Sequence, residues 1–183
     1  TRTYVTESAM NRTARDISRM EHKLLEEGKT LGEALLGAAE EYAIECAILK
    51  VYGSECLDYC ADEALQIHGG MGYSEELPIA GAYRDARINR IFEGTNEINR
   101  MLTVDMLMKR AMKGKIDLMT PAMAIKNEMM SMPTSGNSVT GLFSVEKGYI
   151  SNLKKLFLAV SGATIQSLMQ DLEHEQEILM NMS

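Results

Sequence analysis

The sequence predicts an all-α protein, an up-and-down helical bundle followed by a helical extension, and three observations carry that prediction. Apolar residues recur at helical rather than alternating spacing over long segments. Glycine and proline fall at the ends of those segments, where helices stop and start. No stretch shows the apolar-polar alternation of a half-buried strand.

The first helix is expected from Tyr4 to about Glu27, stopped by Gly28, with Lys29 to Gly32 as a connection. One long helix is then expected from about Glu33 to Ile67, its stripe including Ile44, Ile48, Leu57, Ala61 and Ala64. Glu40, Glu41, Glu45 and Glu55 supply polar positions, and Gly53 weakens this helix without breaking it. Gly69 and Gly70 end it. Tyr73 to Leu77 reads as a loop, with Pro78 in the first turn of a short helix reaching Asn89. A further helix from about Asn96 to Lys113 is expected to bury Ile98, Met101, Leu102 and Leu107. Met132 to Thr140 is the best linker, and helical periodicity returns from Val145 to Met180 with a kink or boundary at Ser161-Gly162. The division expected is a bundle over 1–115 and a helical extension over 116–183, with a linker near 132–140.

With 45% hydrophobic and 25% charged residues, the 183-residue chain has the composition of a globular protein. A net charge of −7, with acids and bases mixed, argues against a nucleic-acid partner. No apolar run reaches the length of a membrane span. Lys154 and Lys155 lie on the polar side of an amphipathic segment, for which packing on protein outweighs contact with a membrane surface. Cys46, Cys56 and Cys60 suit a reducing compartment; Cys56 and Cys60 read as small core residues, with no further ligands for a metal. His22 and His174 have no partners that suggest chemistry, and the fifteen methionines read as flexible core filler.

The chemistry concentrates between Gln66 and Arg100. Arg90-Ile91-Phe92-Glu93-Gly94-Thr95-Asn96-Glu97-Ile98 sets a carboxylate and a glycine directly before a helix N-terminus. The unpaired N–H groups there favour an anionic neighbour, and the carboxylate is placed for proton abstraction. On the residues alone, the same stretch equally suits a helix capped by Thr95 or Asn96. Upstream lie Gln66-Ile67-His68-Gly69-Gly70-Met71-Gly72-Tyr73, preceded by a helix and so not a dinucleotide-fold fingerprint, and Tyr83-Arg84-Asp85-Ala86-Arg87-Ile88. Arg84, Asp85 and Arg87 look like an ion-pair cluster steadying the turn before Glu93.

In this order and spacing, Gln66 to Arg100 resembles the acyl-CoA dehydrogenase family of flavoenzymes. The likeness extends less specifically through Arg2-Thr3-Tyr4 and Tyr42-Ala43-Ile44, and past Leu118 in the manner of the very-long-chain branch. The resemblance implies that Glu93 is the catalytic base, taking the pro-R α proton of a fatty acyl-CoA while hydride leaves the β carbon for flavin N5. It assigns Gly94 to the acyl-CoA side and Thr95, Asn96 and Glu97 to flavin adenine dinucleotide (FAD). Gln66, Ile67, His68, Gly69 and Gly70 would meet the adenosine end of a flavin held mainly by a neighbouring subunit. Relatives often carry Gln at position 97, and Glu97 cannot donate a hydrogen bond when ionised. They commonly carry a basic residue where this chain has Gly81.

The resemblance further implies a homo-oligomer, an electron-transfer flavoprotein as acceptor, and a trans-2-enoyl-CoA product of fatty-acid β-oxidation. It covers part of such an enzyme, so the chain by itself is expected to bind flavin weakly and turn over nothing. A bacterial cytoplasm is preferred to a mitochondrial matrix because no transit peptide is visible. The rival readings are a catalytically silent scaffold relative, which would have no need of Glu93, and a membrane-docking helical module.

Overall fold

The computed structural model describes residues 1–130 and 141–183, all of whose regular elements are helical. The expected linker near 132–140 lies outside the described residues. In order the helices are α1 (Arg2–Glu26), α2 (Leu31–Glu41), α3 (Ala43–His68), α4 (Gly70–Tyr73), α5 (Pro78–Ile88), α6 (Asn96–Met112), α7 (Met119–Met130), α8 (Ser144–Leu168) and α9 (Gln176–Met182). A 3-10 helix over Met169–His174 precedes α9. The chain divides into two compact units, Thr1–Thr103 and Val104–Ser183.

Local chemistry explains the boundaries. Gly28, at φ 85°, ends α1 with the Lys29 and Gly28 N–H groups donating to the carbonyls of Leu24 and Leu25, a paired closure that a side chain would strain. Thr30 and Glu33 start α2 reciprocally: the Thr30 hydroxyl accepts from the Glu33 N–H and the Glu33 carboxylate accepts from the Thr30 N–H. The single long helix expected from Glu33 to Ile67 is instead two, interrupted at Tyr42. Glu40 and Glu41 put two carboxylates in the last turn of α2 with no basic residue there, which opposes the negative end of the helix dipole. Gly53 passes through α3 without a break, as expected.

In the first unit α3 is central, contacting α1, α2, α4 and α5, while α1 also packs on α2. Its buried face is Ala47, Val51, Ser54 and Ala61, with half-buried Asp58 in register between the last two. That four-three spacing is one side of a helix. The expected stripe therefore has to be rotated: Ile48 and Leu57 are exposed on its flanks. Small residues win the interior because they let helices approach closely. A Cβ on Gly37 would sit 2.9 Å from Leu24 Cδ1, and Ala34, Ala38, Ala80 and Ala86 are all buried. Cys56 is buried as expected, whereas Cys60 is exposed with its sulfur 3.7 Å from the Thr3 hydroxyl. On α6 the buried positions are Asn96, Thr103 and Val104, and the expected Ile98 and Leu102 are exposed.

In the second unit α7 packs on α8, with Ala122 Cβ 3.8 Å from the place a Cβ on Gly162 would take. The helix runs unbroken through Ser161-Gly162, so glycine here marks close approach and no boundary. The Lys155 ammonium donates to Glu128 at 2.6 Å, and Ile125 and Leu172 are buried. Ile150, Leu153, Leu156, Phe157 and Val160 form an exposed apolar face of α8. No helix among the described residues is long and apolar enough to cross a membrane.

Candidate functional site

The turn between α5 and α6 holds Glu93 and Gly94 in left-handed conformations, φ 53° and 82°. Positive φ is ordinary for glycine and uncommon for glutamate, so Glu93 is held there against a cost of about 1–3 kcal/mol. Three attachments to α3 oppose that cost. The Arg90 guanidinium pairs with Asp58 at 3.0 Å. The Lys50 ammonium donates to the Gly94 carbonyl at 2.6 Å and to Asn96 Oδ1 at 2.8 Å. Asn96 Nδ2 donates to Ser54 Oγ at 2.9 Å, and that hydroxyl passes its own proton to the Val51 carbonyl at 3.0 Å.

From within α6, Asn99 Nδ2 donates to the carbonyls of Gly94 (2.9 Å) and Thr95 (3.0 Å), while the Asn96 N–H closes the loop on the Arg90 carbonyl at 3.1 Å. A Cβ on Gly94 would come within 3.0 Å of Asn99 Nδ2, so this packing as well as the dihedral calls for glycine. Lower down the same interface Arg100 pairs with Glu55 at 2.9 Å.

Glu93 itself is solvent-exposed, and among the described residues its carboxylate has no hydrogen bond or ion pair. The N–H groups of Glu93, Gly94 and Thr95 likewise have no acceptor among the described residues. A tethered turn thus presents a free carboxylate and three free amides in succession at the positive end of α6. The Thr95 hydroxyl accepts from the Ile98 N–H at 3.2 Å, the N-cap role open to it from sequence. Glu97, also exposed, has its carboxyl held below its ordinary pKa, first by its own backbone N–H, then by the Thr95 hydroxyl, with Arg90 and Arg87 adding attraction.

The predicted site residues do not all share one place. Gln66, Ile67 and His68 form the exposed last turn of α3, with His68 Nδ1 2.7 Å from the Ala64 carbonyl, and Gly69 (φ 58°) and exposed Gly70 follow. Among the described residues no hydrogen bond or ion pair joins this stretch to the Glu93 turn. Asn96 stands apart from its neighbours: the residue is 4% exposed and both ends of its amide are engaged inside the protein. The expected Arg84-Asp85-Arg87 cluster is corrected. Arg84 forms a two-pronged pair with Glu75, in the loop before α5, and it is Arg90 that ties the turn. Lys50, Ser54, Asp58 and Asn99 were not singled out from sequence, although for the first three polar residues four apart along one helix were the available signal.

Residues 4–108 match a family model described as acyl-CoA dehydrogenase, C-terminal domain, and residues 152–183 match a second model with the same description. The chain belongs to the acyl-CoA dehydrogenase family. It is 41% identical over 187 residues to a probable acyl-CoA dehydrogenase of Bacillus subtilis (strain 168), an alignment covering 100% of this chain and 30% of the relative. A very long-chain specific mitochondrial acyl-CoA dehydrogenase of Homo sapiens is 49% identical over 63 residues, 34% of this chain and 10% of that protein. A crystal structure of acyl-CoA dehydrogenase complexed with FAD from Bacillus anthracis superposes with a TM-score of 0.91 at 43% identity, covering 99% of this chain and 31% of that one. This acyl-CoA dehydrogenase chain therefore spans about a third or less of the length of these relatives.

Proposed function

We propose that this chain is the base-bearing part of an FAD-dependent acyl-CoA dehydrogenase that converts fatty acyl-CoA to trans-2-enoyl-CoA, with Glu93 as the general base. The observation that carries the reading is the exposed, unpartnered Glu93 carboxylate on a left-handed turn pinned from behind to α3. In the reaction the Glu93 carboxylate takes the α proton as H⁺, the β hydrogen departs with its electron pair, and the electrons of the Cα–H bond become the C2–C3 double bond. FAD, when bound, supplies the hydride acceptor. The Glu93 N–H is free to donate to the thioester carbonyl, which stabilises the developing enolate.

The residues present fit such a cofactor. Free amides and a threonine hydroxyl at a helix N-terminus suit the polar edge of a flavin, and the exposed Gln66–Gly70 stretch suits its adenosine end. Thr95 and Glu97 would line the flavin side, Gly94 the acyl-CoA side, and Asn96 would support them through its inward contacts. Because Gln66–Gly70 and the Glu93 turn are not joined here, the reading assigns the former to flavin of a neighbouring subunit in a homo-oligomer. The bundle is taken as 1–115 and the extension as 116–183. The extension supports the very-long-chain-like branch, and electron-transfer flavoprotein is the acceptor the reading requires. A bacterial cytoplasm is the favoured setting, in line with the Bacillus relative.

In the full-length enzyme containing this segment, Glu93→Gln keeps the carboxylate's shape and loses the base, so kcat falls about 10²–10⁴-fold while flavin content is unchanged. Turnover within tenfold of the parent would remove Glu93 from this role.

A further inference from the structure

We propose that Lys50 is a positioning residue for this reaction, orienting the Glu93 carboxylate and the Thr95 N–H by anchoring the peptide between Gly94 and Thr95. The inference rests on the reading of Glu93 as base. A half-buried lysine normally finds a carboxylate. Among the described residues Lys50 has none, and both oxygens it bonds, Gly94 O at 2.6 Å and Asn96 Oδ1 at 2.8 Å, belong to the turn and its first helical residue. Asn99 also reaches Gly94 O, but it sits on α6 and moves with it. Lys50 is, among the described residues, the side chain outside the turn and α6 that holds this carbonyl.

Peptide geometry gives that bond its consequence. No peptide here is cis, and in a planar trans peptide the C=O and the next N–H point in opposite directions. Drawing Gly94 O toward α3 turns the Thr95 N–H outward, where it has no acceptor among the described residues. Together with the Asn99 bond to the same oxygen, it restrains the torsions of Gly94, a residue of wide conformational freedom, and so the backbone that carries Glu93. A cation on the carbonyl also polarises the peptide and strengthens its N–H as a donor. Lys50 thereby acts on the Glu93 carboxylate and the Thr95 N–H while touching neither.

The test uses the flavin-loaded full-length enzyme, an acyl-CoA substrate with and without deuterium at the α carbon, and a dye as electron acceptor. Lys50→Met is expected to lower kcat on the order of 100-fold, as small misplacement of a reacting group does, with KM little changed and a larger α-deuterium isotope effect. Lys50→Arg, which keeps a charged donor, is expected to recover to within about tenfold of the parent. An unchanged kcat in Lys50→Met, a loss confined to KM, or a loss that Lys50→Arg fails to recover would each overturn the proposal. If Lys50→Met does not give folded flavoprotein, Lys50→Gln, with one donor left for Gly94 O, is judged by its kcat in the same way. Glu93→Gln run in parallel separates the two ideas: if it stays active the base assignment has failed, and if it is inactive while Lys50→Met is not, only the Lys50 inference has.

Discussion

Asn96 and Ser54 tie the first residue of α6 to α3 through a 2.9 Å hydrogen bond between residues that are 4% and 8% exposed. A buried amide and a buried hydroxyl would each be costly unpaired. Here the amide takes the Lys50 ammonium on its oxygen and gives its N–H to Ser54, and the hydroxyl passes its proton to Val51. The Glu93 turn is therefore mounted on a satisfied polar cluster.

Asn96→Ala should cost about 1–3 kcal/mol, because it leaves Ser54 without its donor and removes one of the two acceptors of Lys50 while filling nothing. The shift of the urea unfolding midpoint of the full-length enzyme measures it. A variant as stable as the parent would show that water replaces the amide without loss.

Glycines 81 and 94 should respond in opposite directions. Gly94→Ala forces a Cβ to 3.0 Å from Asn99 Nδ2 at φ 82°, and should destabilise by about 1–2 kcal/mol while lowering kcat. Gly81 lies inside α5 with nothing within 4 Å of an added Cβ, so Gly81→Ala should stabilise by about 0.5–1 kcal/mol. Thermal unfolding of both variants checks the contrast.

Breaking the Arg90–Asp58 pair should matter more for rate than for stability. The side chains are 37% and 26% exposed, so solvent screens the attraction and Arg90→Met should cost about 1 kcal/mol or less. Loosening the turn beside Glu93 should nonetheless reduce kcat. A double-mutant cycle with Asp58→Asn, read in both stability and kcat, separates the two contributions.

The start of α2 should be acid-sensitive. Glu33 titrates below its ordinary value of 4.5, chiefly through the Thr30 N–H and then the Thr30 hydroxyl. A depressed folded-state pKa means this stabilisation is complete above 4.5 and fades as pH falls through the lower folded value. Thr30→Ala should lower the melting temperature at pH 7 and flatten that part of the acid dependence, which melting curves between pH 7 and pH 3 would show.

The isolated chain should purify without stoichiometric flavin. Among its described residues no large side chain is fully buried, and Leu35, Leu36, Ile48, Leu57, Ile67 and Tyr73 are exposed, faces that further protein would cover. Visible flavin absorbance at one equivalent per chain is the contrary result.

Helix ends were the most legible part of the fold. Gly28, Gly69, Pro78 and the onset of α6 at Asn96 are set by chemistry within a few residues, and each falls where sequence placed it. The break at Tyr42 was missed because it depends on two acidic residues acting against a helix dipole rather than on a glycine or proline. Helix faces were less legible. Size suggested Ile48, Leu57, Ile98 and Leu102 for the interior, while close helix approach selected Ala47, Val51, Ser54 and Thr103.

The site divides the same way. Sequence by itself determined that Glu93 and Gly94 come directly ahead of the capped start of α6, because that is a matter of residue type and short-range spacing. Tertiary structure decided what aims them. Lys50, Ser54 and Asp58 stand more than thirty positions away from the groups they hold. Their partners became known only when α3 came to lie beside the turn, since a hydrogen bond is specified by direction and distance in space and leaves no periodic mark along the chain.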